Sequence, residues 1–257
     1  MKENMAAQRR RGRGRYARAG GLLLAFALVG LTTACSREPS EKELRKQATS
    51  PAAQARRAVE EKKMRALIKH LTAVEGLEHV LTRFSDSCGR PYDGSVFENN
   101  QSPNALRCDM RAVAYFGVRG DITDVLPRIR AARIQPWGPQ EKGRDMPYAG
   151  GTVSYALDYH RHHGRYKDGS LMPAPTLEAP GLDIDWDRPD MPLPNLVEEP
   201  IACPPAGSGG IYERCSTTPK APMSVAAARS RYGTLLTFSL GGYASSGDSY
   251  FTVPRRS

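Results

Sequence analysis

The sequence predicts an α+β domain in which helices cover one face of a mostly antiparallel sheet. Apolar residues recur at three- and four-residue spacing early in the chain and alternate with polar residues in later segments. The chain's 24 glycines and 20 prolines cluster in the connections between these segments. Strands that follow one another in the chain favour antiparallel pairing. About 200 residues are enough to bury one hydrophobic core. We therefore expect a single domain over residues 51–257, with loops stapled by disulfides.

The first predicted helix covers Pro51 to Phe84. Ser50 is a typical N-cap, and Pro51 is tolerated in a first helical turn. Gly76 marks a hinge that could divide the segment into two helices. Helical spacing over this length predicts an amphipathic stripe that packs on the sheet. The stripe consists of Met64, Leu67, Ile68, Leu71, Val74, Leu77, Val80, Leu81 and Phe84.

Alternating apolar residues predict a strand from Cys108 to Val118 that is buried on both faces. A short helix follows, capped by Asp121 or Thr123 and ending before Pro136. Pro127 fits this helix only in its first turn, because proline lacks the backbone N–H that later turns need.

Two further strands are predicted at Thr152–His160 and Leu182–Trp186, each from alternation. Residues 137–151 are rich in turn formers and are expected to form a long loop. The segment 171–205 contains nine prolines, too many for central strands or helices. It is therefore expected to be an irregular surface connection.

The C-terminal segments complete the predicted order of elements. Ser224–Arg231 is rich in alanine and predicts a short helix. Thr234–Leu240 and Ser249–Val253 predict two strands joined by the glycine-containing segment 241–248.

Residues 1–34 have the features of an export signal. Seven basic residues precede an apolar run, Leu22 to Leu31, which is too short to span a membrane. Thr32, Thr33, Ala34 and Cys35 follow, and they resemble the bacterial lipobox, in which a cysteine receives a diacylglyceryl group before the signal is removed. Thr32 stands where that motif usually has leucine, and an ordinary secretory signal would be cut at the same bond.

Residues 35–50 are polar and charged and show no apolar periodicity, so they are expected to form a tether. An arginine-rich signal, a lipid-type cysteine and a disulfide-bonded domain together resemble the small, functionally uncharacterised lipoproteins of actinobacterial envelopes. This resemblance covers about the first 40 residues. It implies a lipid-anchored protein on the extracytoplasmic face of the cell membrane, and it implies no activity.

The chain has five cysteines, an odd number that leaves one thiol over in an exported protein. Lipidation of Cys35 would leave four for disulfides, which an oxidising compartment keeps closed. Proximity favours Cys88 with Cys108 and Cys203 with Cys215, although four cysteines allow three connectivities. No Cys-x-x-Cys pair is present, which disfavours zinc.

The formal net charge of +10 belongs mostly to the export signal. Residues 1–34 hold seven of the 37 basic and one of the 27 acidic residues, which leaves +4 for the rest. That excess is compatible with attraction to lipid headgroups or wall polymers, or with an ordinary mixed surface. It does not predict nucleic-acid binding.

Two polar clusters are candidates for chemistry. In the first, a strand would place His160 and His162 on one face, where they and His163 could bind a metal with Asp158 as a further ligand. The alternative is a solvated hairpin end, because Arg161 and its neighbours oppose cation binding. We expect no metal and no cofactor.

The second cluster is Asp183, Asp185 and Asp187. These carboxylates could perform acid/base chemistry on a sugar, with Trp186 or Trp137 as a stacking platform. Alternation, however, places Trp186 on the opposite face of the strand. The simpler interpretation is an apolar face in the core and the aspartates in solvent.

No nucleophile elbow, zinc-protease motif or phosphate-binding loop is found in the sequence. We therefore expect a non-catalytic binding or accessory module of the cell envelope, whose partner is an envelope protein or a wall polymer. A cell-wall or polysaccharide hydrolase and a metal-binding lipoprotein are the alternatives.

Overall fold

The computed structural model describes residues 38–91, 102–134, 140–141, 144–145, 151–179, 181–205, 210–241 and 249–255. The predicted export signal, Cys35 and Trp137 lie outside these residues. The predictions made for them therefore stay predictions.

Five helices and one seven-stranded antiparallel sheet make up most of the described part of the chain. The helices are α1 (Glu41–Ala48), α2 (Pro51–Leu71), α3 (Ile122–Ala131), α4 (Val153–Arg161) and α5 (Val225–Tyr232). The strands are β1 (Leu77–Gly89), β2 (Asn104–Val118), β3 (Gln140–Glu141), β4 (Arg144–Asp145), β5 (Leu177–Ala179), β6 (Leu182–Trp186), β7 (Tyr212–Thr218), β8 (Thr234–Leu240) and β9 (Phe251–Pro254). The predicted α+β class with an antiparallel sheet is confirmed.

The sheet has the order β5-β6-β8-β2-β1-β7, and β9 pairs with the first part of β2. Strands β3 and β4 form a separate small hairpin. Helices α2, α3 and α4 pack on one face, where Phe116, Phe238 and Trp186 are fully buried. Helix α5 packs on part of the opposite face against Leu81 and Leu235. No other described helix packs on this second face, which we call the open face.

The predicted long helix ends at Leu71, and the segment that begins at Leu77 is strand β1. Gly76, in the turn between α2 and β1, has a φ of +92°, a conformation that suits glycine. A register shift between His79 and Leu81 interrupts the alternation of β1. Val80 and Leu81 are consequently both buried, which imitates helical spacing in the sequence.

The predicted strand Thr152–His160 is wrong, because these residues form α4 and its cap. The Thr152 side chain accepts a hydrogen bond from the Tyr155 backbone N–H at 3.1 Å, which starts the helix. Tyr155, Ala156 and Tyr159 are buried together. The tyrosines at alternate positions suggested a strand, but burial follows the helical period.

The expected tether is wrong for its second half, which forms helix α1. Ser40 and Glu43 form a reciprocal capping box at its start. Leu44 and Ala48 are fully buried beside the Cys88–Cys108 disulfide. Two apolar residues at i and i+4 are enough to pack a two-turn helix against the domain. A stripe of only two residues gives too little periodicity in the sequence to predict the helix.

A buried ion pair joins the start of α2 to the sheet. Arg57 Nε donates to Asp86 Oδ2 at 2.6 Å, and Arg57 Nη2 donates to the Ala48 carbonyl at 3.1 Å. Tyr250 donates to the other carboxylate oxygen of Asp86 at 2.6 Å. Burial and this carboxylate raise the pKa of Tyr250. Helices α1 and α2 are thus fastened to β1 and to the segment before β9.

Both expected disulfides are formed. Cys88 and Cys108 are directly opposite in the β1–β2 register and are buried. Cys203 is linked to Cys215 of β7. Strand β7 was not expected, because its residues are polar and no face of it is apolar.

Several predicted elements are confirmed by the structure. Strands β2, β6 and β8 contain the expected segments, Asp121 caps α3 as expected, and the expected helix near Ser224 is α5, with Ser224 as its N-cap. Pro127 differs from expectation, since it lies in the second turn of α3. Strands β8 and β9 each pair with β2 rather than forming a hairpin with each other.

Candidate binding groove

A groove of about 560 Å³ lies on the open face of the sheet, opposite α2, α3 and α4. Its floor consists of side chains from β1, β2, β6 and β8. Its wall is the segment 195–204, which we call the strap. The floor residues are Arg83, Ser85, Val113, Tyr115, Asp185, Thr237 and Ser239.

The first end of the strap is fastened to β6. The side-chain amide of Asn195 donates to Asp185 Oδ2 at 2.8 Å and to the Trp186 carbonyl at 3.0 Å. The backbones of Asn195 and Arg188 also exchange two hydrogen bonds. This end of the strap is therefore held by main-chain and side-chain contacts together.

The other end of the strap is fastened to β1 and β7. Arg83 Nη2 donates to the Ile201 carbonyl at 2.7 Å, and Arg83 Nη1 donates to Thr217 at 3.0 Å. The Cys203–Cys215 disulfide adds a covalent link. Since β8 and β2 lie between β6 and β1 in the sheet, the strap crosses the strands.

Asp187 holds the middle of the strap and is not in solvent, contrary to the sequence-based expectation. Its carboxylate accepts from the backbone N–H groups of Val197 and Leu235 at 2.7 and 2.9 Å. It also accepts from Nε and Nη2 of Arg229, both at 3.0 Å. The hydrogen bond to Asp187 raises the pKa of Arg229. Alternation did not reveal this contact because Asp187 follows the end of β6.

A second hollow, of about 650 Å³, lies between the strap and α5. Here Glu199 accepts from the backbone N–H groups of Val225 and Ala226 at 2.6 and 3.3 Å. A carboxylate at this position stabilises the positive end of the helix dipole. Glu199 is therefore engaged in holding α5 against the strap.

The three candidate aspartates occupy three different environments. Asp183 is half-buried, and burial together with the nearby Glu178 raises its pKa. Asp185 is exposed and pairs with Arg188 at 3.1 Å. Asp187 is buried in the structural network of the strap. The aspartates therefore do not converge on one point, as acid/base chemistry on a sugar would need.

The apolar face of β6 lies in the core, as predicted: Leu182, Ile184 and Trp186 are at most 3% exposed. The guanidinium of Arg188 stacks over the Trp186 ring at 4.7 Å and is itself buried. Trp186 therefore cannot serve as a stacking platform for a ligand in the groove.

The three candidate histidines do not form a metal site. His160 lies on α4, where its Nε2 accepts from the Trp186 indole N–H at 3.0 Å. Burial lowers the pKa of His160. His162 and His163 follow the end of α4 and are exposed. Within the described ranges, no three His, Cys, Asp or Glu side chains are close enough to share a metal ion.

The sequence-based reasoning did not identify the groove. Arg83 and Tyr115 lie on strands whose other face forms the core, and the strap was interpreted only as a surface connection. The signal that could have found it is the acidic pair Glu198–Glu199, next to Pro200 and Ile201 in a segment otherwise rich in proline.

None of the helices among the described residues is long and apolar enough to cross a lipid bilayer. No protein-family model, curated protein sequence or solved structure gives a significant match to this chain.

Proposed function

We propose that the protein is a lipid-anchored, extracytoplasmic binding module that holds a partner in the groove between the strap and the sheet. The observation that carries this proposal is the strap itself, which is fastened at both ends and at its middle. A groove whose wall is already ordered loses little conformational entropy when a partner binds.

Binding is favoured over catalysis because the carboxylates in and near the groove already have partners within the protein. Asp185 is paired with Arg188, and Glu199 caps α5. The buried Asp187 is fully used by Arg229 and two backbone amides. Three carboxylates near the groove therefore have structural partners and are not poised to transfer protons.

The anchored location is supported by the signal-like residues 1–34 and by the pairing of the other cysteines. Four of the five cysteines are joined in disulfides, which leaves Cys35 as the cysteine without a disulfide partner. Disulfides persist in compartments outside the cytoplasm. Lipidation of Cys35 would account for the remaining thiol.

Mass spectrometry of the mature N-terminus tests the anchor. We expect cleavage before Cys35 and a diacylglycerol adduct on its sulfur. A Cys35→Ala protein should be released into the medium, and a Lys62→Ala protein should stay in the membrane fraction. An unmodified Cys35, or retention of the Cys35→Ala protein in the membrane, would show that the anchor is wrong.

Site-specific crosslinking in intact cells tests the groove. A photo-reactive amino acid in place of Ser239, on the groove floor, should give an adduct of defined mass. The same group in place of Lys62, on the exposed side of α2, should not give it. If both positions give the same adducts, or Ser239 gives none, the groove does not bind the partner.

A further inference from the structure

We propose that the groove receives an extended peptide segment of a partner protein, with basic residues placed against Glu198 of the strap and against Asp183 and Glu178, which lie on the same face of the sheet beyond the β6 edge of the groove. This inference rests on the proposed function and specifies the chemistry of its ligand. Three features of the open face support it: the distribution of charge, the free backbone of the strap, and exposed apolar side chains at the rim.

The first feature is a cross-strand row that crosses five strands of the sheet. Arg83, Val113, Ser239, Asp183 and Glu178 are successive partners in the strand register. The row is positive at its β1 end and negative at its β6–β5 end. At about 4.8 Å per strand, Arg83 and Asp183 are about 14 Å apart, the span of about four residues of extended chain.

Among the described residues, no cation forms an ion pair with the acidic end of the row. Asp183 and Glu178 face each other across β5 and β6, and neither has a hydrogen bond or ion pair among the described residues. Arg111 acts on Asp183 only through its electrostatic field. Glu198 of the strap is exposed and also without an ion pair in the described part of the chain.

This local acidity contrasts with the net charge of +10 for the whole chain. Asp185 and Glu199 are excluded from the argument because Arg188 and the start of α5 already neutralise them. Glu178 and Asp183 remain at this end and Glu198 remains on the strap, and a cation beside Asp183 would relieve the repulsion between the two facing carboxylates. A lysine or arginine side chain of a partner is complementary to them.

The second feature is the backbone of the strap. From Glu198 to Ala202 the strap donates no backbone N–H group to any described residue. The Ile201 carbonyl is held by Arg83, which keeps this part of the strap in place. An extended peptide can therefore pair with the backbone N–H groups of Glu198, Glu199, Ile201 and Ala202, as in the addition of a strand to a free edge, whereas Pro200 has no N–H to offer.

The third feature is apolar surface at the rim. Leu196 and Ile201 are 50% and 90% exposed, and Val113 is half-buried on the floor. Side chains of an extended peptide alternate in direction, so apolar residues can contact these side chains while basic residues reach the carboxylates. A polysaccharide fits less well, because Tyr115, the aromatic side chain of the groove, is only 6% exposed.

Fluorescence anisotropy with labelled peptides tests this inference on protein purified as the cell processes it. The probes are three short peptides that alternate valine with lysine, with glutamate or with glutamine. We expect the valine–lysine peptide to bind about tenfold more tightly than either of the others at low salt, and to lose this advantage at high salt.

Variants that reverse or remove a negative charge locate the contact. Glu198→Lys should weaken binding of the valine–lysine peptide about fivefold to tenfold, and Asp183→Asn should weaken it about threefold. Glu75→Lys is the matched control, because Glu75 is exposed on the helical side of the sheet and should leave binding unchanged. Circular dichroism of each variant shows that the fold is retained.

The outcomes separate this inference from the proposed function. Equal binding of the three peptides, or an unchanged affinity in Glu198→Lys, would overturn the basic-peptide ligand. If no peptide binds but Ser239 still crosslinks to a partner in cells, the peptide class is wrong and the groove remains the binding site. If purified wall polymer competes for that crosslink, the ligand is a polysaccharide. If peptides and crosslinks both fail, the proposed function fails with the inference.

Discussion

At the residue scale, neighbouring aspartates that look equivalent in the sequence do different things. Asp185 is exposed and contacts Arg188 and Asn195, whereas Asp187 is buried and gathers four hydrogen bonds from Val197, Leu235 and Arg229. Because side chains alternate along a strand, the sequence pattern places both aspartates on the same face of it. Only the packing of the strap and α5 distinguishes them.

Replacing Asp187 should destabilise the protein more than replacing Asp185. We expect Asp187→Ala to lower the free energy of unfolding by about 2–4 kcal/mol, because two buried N–H groups and Arg229 lose their acceptor. Asp185→Ala should cost about 1–2 kcal/mol, because the Asp185 carboxylate is itself exposed but its partner Arg188 is buried. Urea denaturation of the two variants measures the difference, and equal losses would contradict the assignment.

Two histidines should make stability fall in mild acid. Burial lowers the pKa of His160 and of His79 below the ordinary value of 6.5. The unfolded chain then binds protons that the folded chain does not, so stability is complete above that value and declines as the pH falls below it. Urea denaturation at a series of pH values should show this decline. His79→Gln combined with His160→Gln should flatten it, whereas His162→Gln, at an exposed site, should leave it unchanged.

At the element scale, short-range pattern and tertiary packing disagree in two places. A bulge in β1 made a strand look helical, and alternate tyrosines made α4 look like a strand. Both segments were recognised as ordered and apolar, and only the period was misjudged. The segments β2, β6 and β8, which have no bulge in their pairing with one another, were predicted with the correct type.

The contact between β2 and α5 depends on a glycine. A Cβ at Gly117 would overlap the ring of Tyr232 on α5. We expect Gly117→Ala to displace α5 and to lower the free energy of unfolding by about 1–3 kcal/mol. Gly89→Ala is the control, since a Cβ there meets nothing within 4 Å. Thermal denaturation of the two variants makes the comparison, and a stable Gly117→Ala protein would contradict the close approach.

At the scale of the whole molecule, the two disulfides differ in what they hold. Cys88–Cys108 joins neighbouring strands in the buried interior. Cys203–Cys215 fastens the end of the strap to an edge strand of the sheet, beside the proposed binding groove. The first contributes to the core, and the second orders a surface segment.

Removing the second disulfide should loosen the strap without unfolding the sheet. In a variant with Cys203→Ser and Cys215→Ser, limited proteolysis should cut between Leu196 and Cys203 at least about tenfold faster than in the parent protein, because local opening governs cleavage. Cys88→Ser with Cys108→Ser should instead lower global stability by about 3 kcal/mol. Mass spectrometry of the fragments identifies the sites, and unchanged cleavage would show that the strap is held by its hydrogen bonds alone.

By itself the sequence determined the α+β class and most element types and favoured the two cysteine pairs, because these follow from local periodicity, capping residues and spacing along the chain. It also carries the prediction of an export signal and a lipid anchor at Cys35. Only the tertiary structure decided that residues 195–204 cross the open face of the sheet and make a groove there. That arrangement depends on contacts such as Arg83 with Ile201 and Asp187 with Val197, which join residues far apart in the chain. Contacts between residues so far apart in the chain produce no hydrophobic periodicity from which a single sequence could predict them.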